Sequence, residues 1–131
     1  MENVLKPGLF YELTEMVTED HTAIKLGSGT VKVYATPAMI ALMEKASWKC
    51  VDPYLTEGQV TVGTNLEVKH LTATPVGMKV RARAELRAVE GKRLEFFVQA
   101  FDEKEKIGEG IHERYIVNQD KFMARTEEKN K

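Results

Sequence analysis

From Met78 onward the chain alternates. Met78, Val80, Ala82, Ala84, Leu86 and Ala88 interleave with Lys79, Arg81, Arg83, Glu85 and Arg87. A period of two over that length predicts a long strand with one buried and one wet face. Glu90-Gly91-Lys92 predicts a turn, after which Leu94, Phe96, Val98 and Ala100 carry the alternation into a second strand. Asp102 to Glu105 predicts another turn, leading into a strand from Ile107 to Val117. Ahead of these lies a strand from Val60 to Ala73, closed by Thr74-Pro75-Val76-Gly77, and Leu9 to Thr18 gives a weaker strand pattern.

Pro37 to Val51 has a different character. Thr36 reads as an N-cap and Pro37 as the first helical residue, where a missing N–H costs nothing. Ala38-Met39-Ile40-Ala41-Leu42-Met43 is apolar on nearly every side, which predicts a helix wrapped by other structure. The polar side is narrow: Lys45, Lys49 and Asp52 fall within about 60° at 100° per residue. Asp52-Pro53 ends the helix, since a residue before proline is pushed out of the α region. The order is therefore strand, one buried helix, then four strands joined by short turns that make neighbours antiparallel. The fold class is α+β, a curved antiparallel sheet wrapped around one long central helix.

With 131 residues the chain predicts a single domain, 1–131, with an ordered core from about residue 5 to residue 123. Residues 124–131 are expected to form a solvated tail, since Arg125 to Lys131 contains no apolar residue. Nineteen Lys and Arg against 20 Asp and Glu leave a net charge of -1, which gives no field to attract nucleic acid or an anionic membrane. Cys50 is the only cysteine, so an internal disulfide, a zinc ribbon and an iron–sulfur site are excluded. There is no metal-ligand spacing, P-loop or GxGxxG, and no metal or cofactor is expected. No apolar run approaches the ~18 residues of a membrane span, and Met1-Glu2-Asn3 lacks the basic start of a signal peptide, so the location expected is cytoplasmic.

Three residues stand out chemically. Strand parity puts His70 on the face of Val62, Leu66 and Val68, toward the helix; a core histidine satisfied by a carbonyl is the plainer reading. Glu44 lies about 40° from Ile40 and Trp48 and about 100° from Lys45 on the helical wheel, on the flank of the apolar half. It is either a solvated carboxylate or a buried one in need of a partner. If the helix packs on the strand face of His70, Glu44 and His70 approach one another and form a base of tuned pKa. Thr36 places a hydroxyl at the helix start, where developing negative charge is favoured. Gly63 is either a bend or a point of close ligand approach. His112-Glu113-Arg114 reads as structural, the Arg81/Arg83/Arg87 stripe as a solvated face, and Met39, Met43 and Cys50 as packing.

Tyr34-Ala-Thr-Pro-Ala-Met-Ile-Ala-Leu-Met-Glu-Lys-Ala46 resembles the helix motif of the fluoroacetyl-coenzyme A thioesterase-like family, which has the hotdog fold. Gly63-Thr64 with Val68-Lys-His-Leu-Thr-Ala-Thr-Pro-Val-Gly77 resembles its strand motif, and Ala84 to Leu94 and Ile107 to Arg114 are also similar. The resemblance implies hydrolysis of a small acyl-coenzyme A thioester by a homodimer or a higher oligomer, with active sites at the subunit interface. It implies Thr36, Glu44 and His70 as catalytic residues and Gly63 and Thr64 as substrate-binding, with coenzyme A entering only as part of the substrate. Leu26 to Val33 contains no Phe, whereas the family's namesake carries phenylalanines in a lid there, which implies another acyl group. Glu44 either orients a water or attacks directly. The alternatives are a non-catalytic module binding an acyl-coenzyme A or small ligand, and a dimerisation domain.

Overall fold

A computed structural model describes residues 4–131. Its elements are β1 (Phe10–Met16), a one-turn helix α1 (Ala23–Leu26), the long helix α2 (Thr36–Val51), β2 (Gln59–His70), β3 (Lys79–Glu90), β4 (Arg93–Phe101), β5 (Lys106–Asn118) and a terminal helix α3 (Gln119–Glu127). The five strands form one antiparallel sheet in the order β1-β3-β4-β5-β2. The α+β reading holds, with each alternating segment a strand and the apolar segment the helix packed on them.

The sheet's inner face is set by the alternation. Val80, Ala82, Ala84 and Leu86 of β3 and Leu94, Phe96, Val98 and Ala100 of β4 are fully buried. They meet Met39, Leu42, Met43, Ala46, Cys50 and Val51 of α2. Removing each large apolar side chain from water contributes about 1.5–3 kcal/mol. The small Ala82 and Ala84 let the helix come close to β3. The buried Ser47 hydroxyl donates to the Met43 carbonyl at 2.9 Å, so it leaves no unpaired polar group. On the outer face the arginine stripe is indeed a solvated one: Arg81 stacks on Phe101, Arg83 on Phe10 and Arg87 on Phe97 at 4.4–4.7 Å. The same arginines pair with Glu12 and Glu85.

Four sequence expectations are corrected. The open side of the helix is wider than its polar residues mark, because Ala41 and Trp48 are exposed beside Lys45. β2 is not a neighbour of β3 but pairs with β5 at the far edge of the sheet. The segment between β2 and β3 is spent elsewhere: Leu71 N–H donates to Ile107, the Thr74 carbonyl accepts from Tyr34 N–H, and Gly77 N–H donates to Val17. The third concerns Thr36, which lies inside the helix; the N-cap is Ala35, and no side chain caps that end. Finally, the solvated tail is exposed but helical. Asn118 Oδ1 accepts from Lys121 N–H at 3.0 Å and starts α3, which runs past Ala124.

Candidate active site

Two clusters flank α2. The first is at its N-terminus. Because Thr36 does not cap the helix, its hydroxyl is free to turn toward β2, where Oγ1 lies 2.7 Å from Nδ1 of His70. His70 Nε2 is buried and finds no hydrogen-bond partner among the described residues. Burial lowers the His70 pKa below the ordinary histidine value. A hydroxyl hydrogen-bonded to a neutral imidazole is the arrangement of an activated nucleophile with its general base. A cavity of about 330 Å³ opens beside the pair, between Tyr34, Ala35 and Thr36 on one side and Leu71, Thr72 and Ala73 on the other.

Glu44 belongs to the second cluster. Its Oε2 is 3.8 Å from Nη1 of Arg114, whose side chain is only 8% exposed. Arg114 is spent on fixed partners: Nε donates to Thr61 Oγ1 at 2.8 Å, Nη2 to the Thr61 carbonyl at 2.9 Å, and Nη1 lies 3.1 Å from His112 Nε2. His112 is fully buried, and its Nδ1 meets the Asn65 carbonyl at 2.9 Å. With an arginine donor facing Nε2, the proton belongs on Nδ1. Burial is the main reason the His112 pKa is lowered.

Gly63 joins this second cluster, although unbroken alternation puts it on the face opposite His70. The register of β2 against β5 shifts between Gly63 and Asn65. That bulge absorbs one residue, so Thr61 and Gly63 before it share the inner face with Leu66, Val68 and His70 after it. A Cβ on Gly63 would sit 3.1 Å from Glu44 Oε2, 3.2 Å from His112 Cε1 and 3.3 Å from Arg114 Nη1. The glycine is what admits the carboxylate. Thr64 is at the bulge itself, with its hydroxyl donating to the Glu113 carbonyl at 3.2 Å.

The expected meeting of Glu44 and His70 does not occur inside one chain; no hydrogen bond or ion pair joins them among the described residues. Helix geometry explains it. Eight residues separate Thr36 from Glu44, about 12 Å along the axis at 1.5 Å per residue. The sequence reading of His112 and Arg114 as structural leaves out their place beside Glu44. The overlooked signal is their i, i+2 spacing, which puts both on one strand face opposite Gly63.

A single antiparallel sheet curled on one long helix, with hydroxyl, imidazole and carboxylate at the helix's flank, has the architecture of a hotdog-fold thioesterase. Residues 17–120 match the fluoroacetyl-CoA-specific thioesterase family, FlK. The chain is 44% identical over 98 residues to the fluoroacetyl-CoA thioesterase of Streptantibioticus cattleyicolor, covering 75% of this chain and 70% of that one. A solved structure of the fluoroacetyl-CoA thioesterase FlK superposes with a TM-score of 0.93 at 35% identity, covering 97% and 98% of the two chains. A thioesterase-superfamily protein of Thermus thermophilus superposes with a TM-score of 0.88 at 31% identity, over 95% and 93%. The chain belongs to the fluoroacetyl-CoA-specific thioesterase family. Among the described residues no helix is long and apolar enough to cross a membrane.

Proposed function

We propose that this protein hydrolyses a small acyl-coenzyme A thioester in a site completed by a second copy of the chain. The observation that carries the chemistry is the 2.7 Å contact of Thr36 Oγ1 with His70 Nδ1 at the mouth of a cavity. Thr36 attacks the thioester carbonyl as His70 Nδ1 takes the hydroxyl proton. The C–S bond then breaks, the proton passes to the coenzyme A thiolate, and the acyl group remains as an ester on Thr36. Glu44 orients the water that cleaves this ester, with His70 as base, releasing the acid and regenerating Thr36. Gly63 gives the thioester room to approach the strand, and Thr64 fixes the bulge that turns Gly63 inward. Structures of FlK include a threonine-to-serine mutant in complex with acetyl-CoA, which supports a role for a threonine.

Edge strand β2 supports the homodimer. Its 12 residues pair on one side only within the chain, and Gly63 to Glu67 are exposed. So long an unpaired edge is a template for another strand. Antiparallel pairing with the β2 of a second copy, about a two-fold axis at Glu67, keeps opposed side chains on one face and, with the bulge counted, sets Gly63 opposite the second copy's His70. The Thr36–His70 pair of one chain then faces the Glu44–Arg114 pair of the other. Coenzyme A enters as part of the substrate, no other cofactor is invoked, and the protein works in the cytoplasm as one domain. A free-thiol assay over an acyl-coenzyme A panel tests the reading: thiol release that disappears in Thr36→Val supports it, and binding without thiol release makes the protein a ligand-binding module instead.

A further inference from the structure

We propose that the cavity beside Thr36 and His70 is an acyl pocket for a neutral aliphatic acyl group of about four to six carbons, so that short-chain acyl-coenzyme A rather than acetyl-coenzyme A is the preferred substrate. This rests on the thioesterase reading above. Three features carry it: size, polarity and the loop that roofs the cavity.

Within one chain the cavity measures about 330 Å³ and is open to one side, where Val31 and Leu71 remain more than half exposed. Taking roughly 30 Å³ per non-hydrogen atom, the share of one water in the liquid, the three such atoms of an acetyl group fill about a quarter of it. An acyl group of four to six carbons has five to seven, filling about half. The remainder holds the sulfur and the first methylenes of the pantetheine arm.

The walls are Ala23, Val31, Val33, Leu71 and Ala73, and no Lys, Arg, Asp or Glu lines the cavity. A second carboxylate at the far end of the acyl chain therefore finds no counter-charge among the residues that this chain supplies to the pocket, which makes its desolvation costly. His70 adds no compensating cation, because burial keeps its imidazole neutral. Thr36 and His70, in contact with one another, mark the end where the thioester belongs, and Ser28 and Thr72 add hydroxyls to the lining but no charge.

The roof is the loop after α1, Gly27-Ser28-Gly29-Thr30. Gly29 lines the cavity, and its φ is not positive, so a side chain there is not strained. A Cβ on Gly29 meets only Ala23 Cβ, at an ordinary 3.4 Å. The glycine leaves unfilled the space that an acyl chain would take.

The test compares kcat/KM for acetyl-, butanoyl-, hexanoyl-, octanoyl- and succinyl-coenzyme A. Each added methylene raises kcat/KM by up to about fourfold until the cavity is full. The expected optimum is butanoyl or hexanoyl, with succinyl-coenzyme A at least tenfold below butanoyl. Gly29→Leu and, independently, Ala73→Leu should each lower the hexanoyl-to-acetyl ratio at least tenfold. An acetyl optimum in the wild type, equal use of succinyl-coenzyme A, or an unchanged ratio in whichever variants fold overturns the assignment. If no acyl-coenzyme A releases thiol, the hydrolase reading fails by itself. Calorimetry with the same panel then decides the pocket: tighter binding of hexanoyl- than acetyl-coenzyme A upholds it, and equal binding overturns it.

Discussion

Thr36 Oγ1 and His70 Nδ1 lie 2.7 Å apart, joining the first turn of the long helix to the last residue of the edge strand. The contact exists because the helix is capped without Thr36: Ala35 takes the N-cap position, and Pro37, at the second helical position, needs no N–H partner. Nothing competes for the threonine hydroxyl, and a histidine beside it has its proton affinity lowered by burial.

Removing either partner should disable the chemistry and spare the fold. Thr36 is exposed and His70 is on an edge strand, so neither holds the core. Thr36→Val and His70→Ala are expected to lower kcat/KM by roughly 10²–10⁴-fold. Thermal unfolding checks that the variants remain native, and Thr36→Ser should lose less than Thr36→Val because it keeps the hydroxyl.

Gly63 should be intolerant of even one methyl group. The added Cβ would crowd the Glu44 carboxylate, the His112 ring and the Arg114 guanidinium at 3.1–3.3 Å. Arg114 and His112 are held by Thr61 and Asn65, which leaves Glu44 as the group that shifts. Gly63→Ala is expected to cost about 1–3 kcal/mol of stability at most. Its kcat should fall at least tenfold as the carboxylate moves, measured by steady-state kinetics beside chemical unfolding.

Acid should unfold and inactivate the protein over the same range. Burial lowers the pKa of both His70 and His112 below 6.5 in the folded state. As pH falls below 6.5 the unfolded chain takes up these protons first, so the stability present above that pH is lost progressively. The slope is at most about 2.7 kcal/mol per pH unit for two protons. Activity should be level above pH 6.5 and drop below it as the His70 base is protonated. Stability that does not change between pH 7.5 and 5 would contradict the burial of these two imidazoles.

The strands and helix were legible because their signals are local. Met78 to Ala88 alternates without interruption, and Ala38 to Met43 is too apolar for a surface segment. Two features were not legible for the same reason. The bulge at Gly63/Asn65 reverses strand parity through pairing with β5, which the sequence of β2 does not contain. The placement of β2 at the far edge depends on how the Leu71–Met78 segment is tied to α2's lead-in, β1 and β5. Thr36, Glu44 and His70 could be singled out by position. The helix rise alone keeps Thr36 and Glu44 apart, whereas His70 joins Thr36 because of where the sheet places the end of β2.

The exposed edge offers an independent check of assembly. Leu66 is 38% exposed in the single chain and lies next to the proposed two-fold axis. Leu66→Lys places like charges on facing strands, which disfavours pairing. Sedimentation should show a shift from dimer toward monomer, with activity falling in parallel and the far-ultraviolet spectrum unchanged.

Mixing two inactive variants tests the shared site most directly. Thr36→Val and Glu44→Gln homodimers each carry two broken sites. In a mixed dimer the account gives one site with both defects and one with neither. Co-refolding equal amounts should therefore restore roughly a quarter of wild-type activity, since half the dimers are mixed and half of their sites are intact. Activity that stays at the level of the separate variants, in a sample shown by mass spectrometry to contain the mixed dimer, would contradict a site built from two chains.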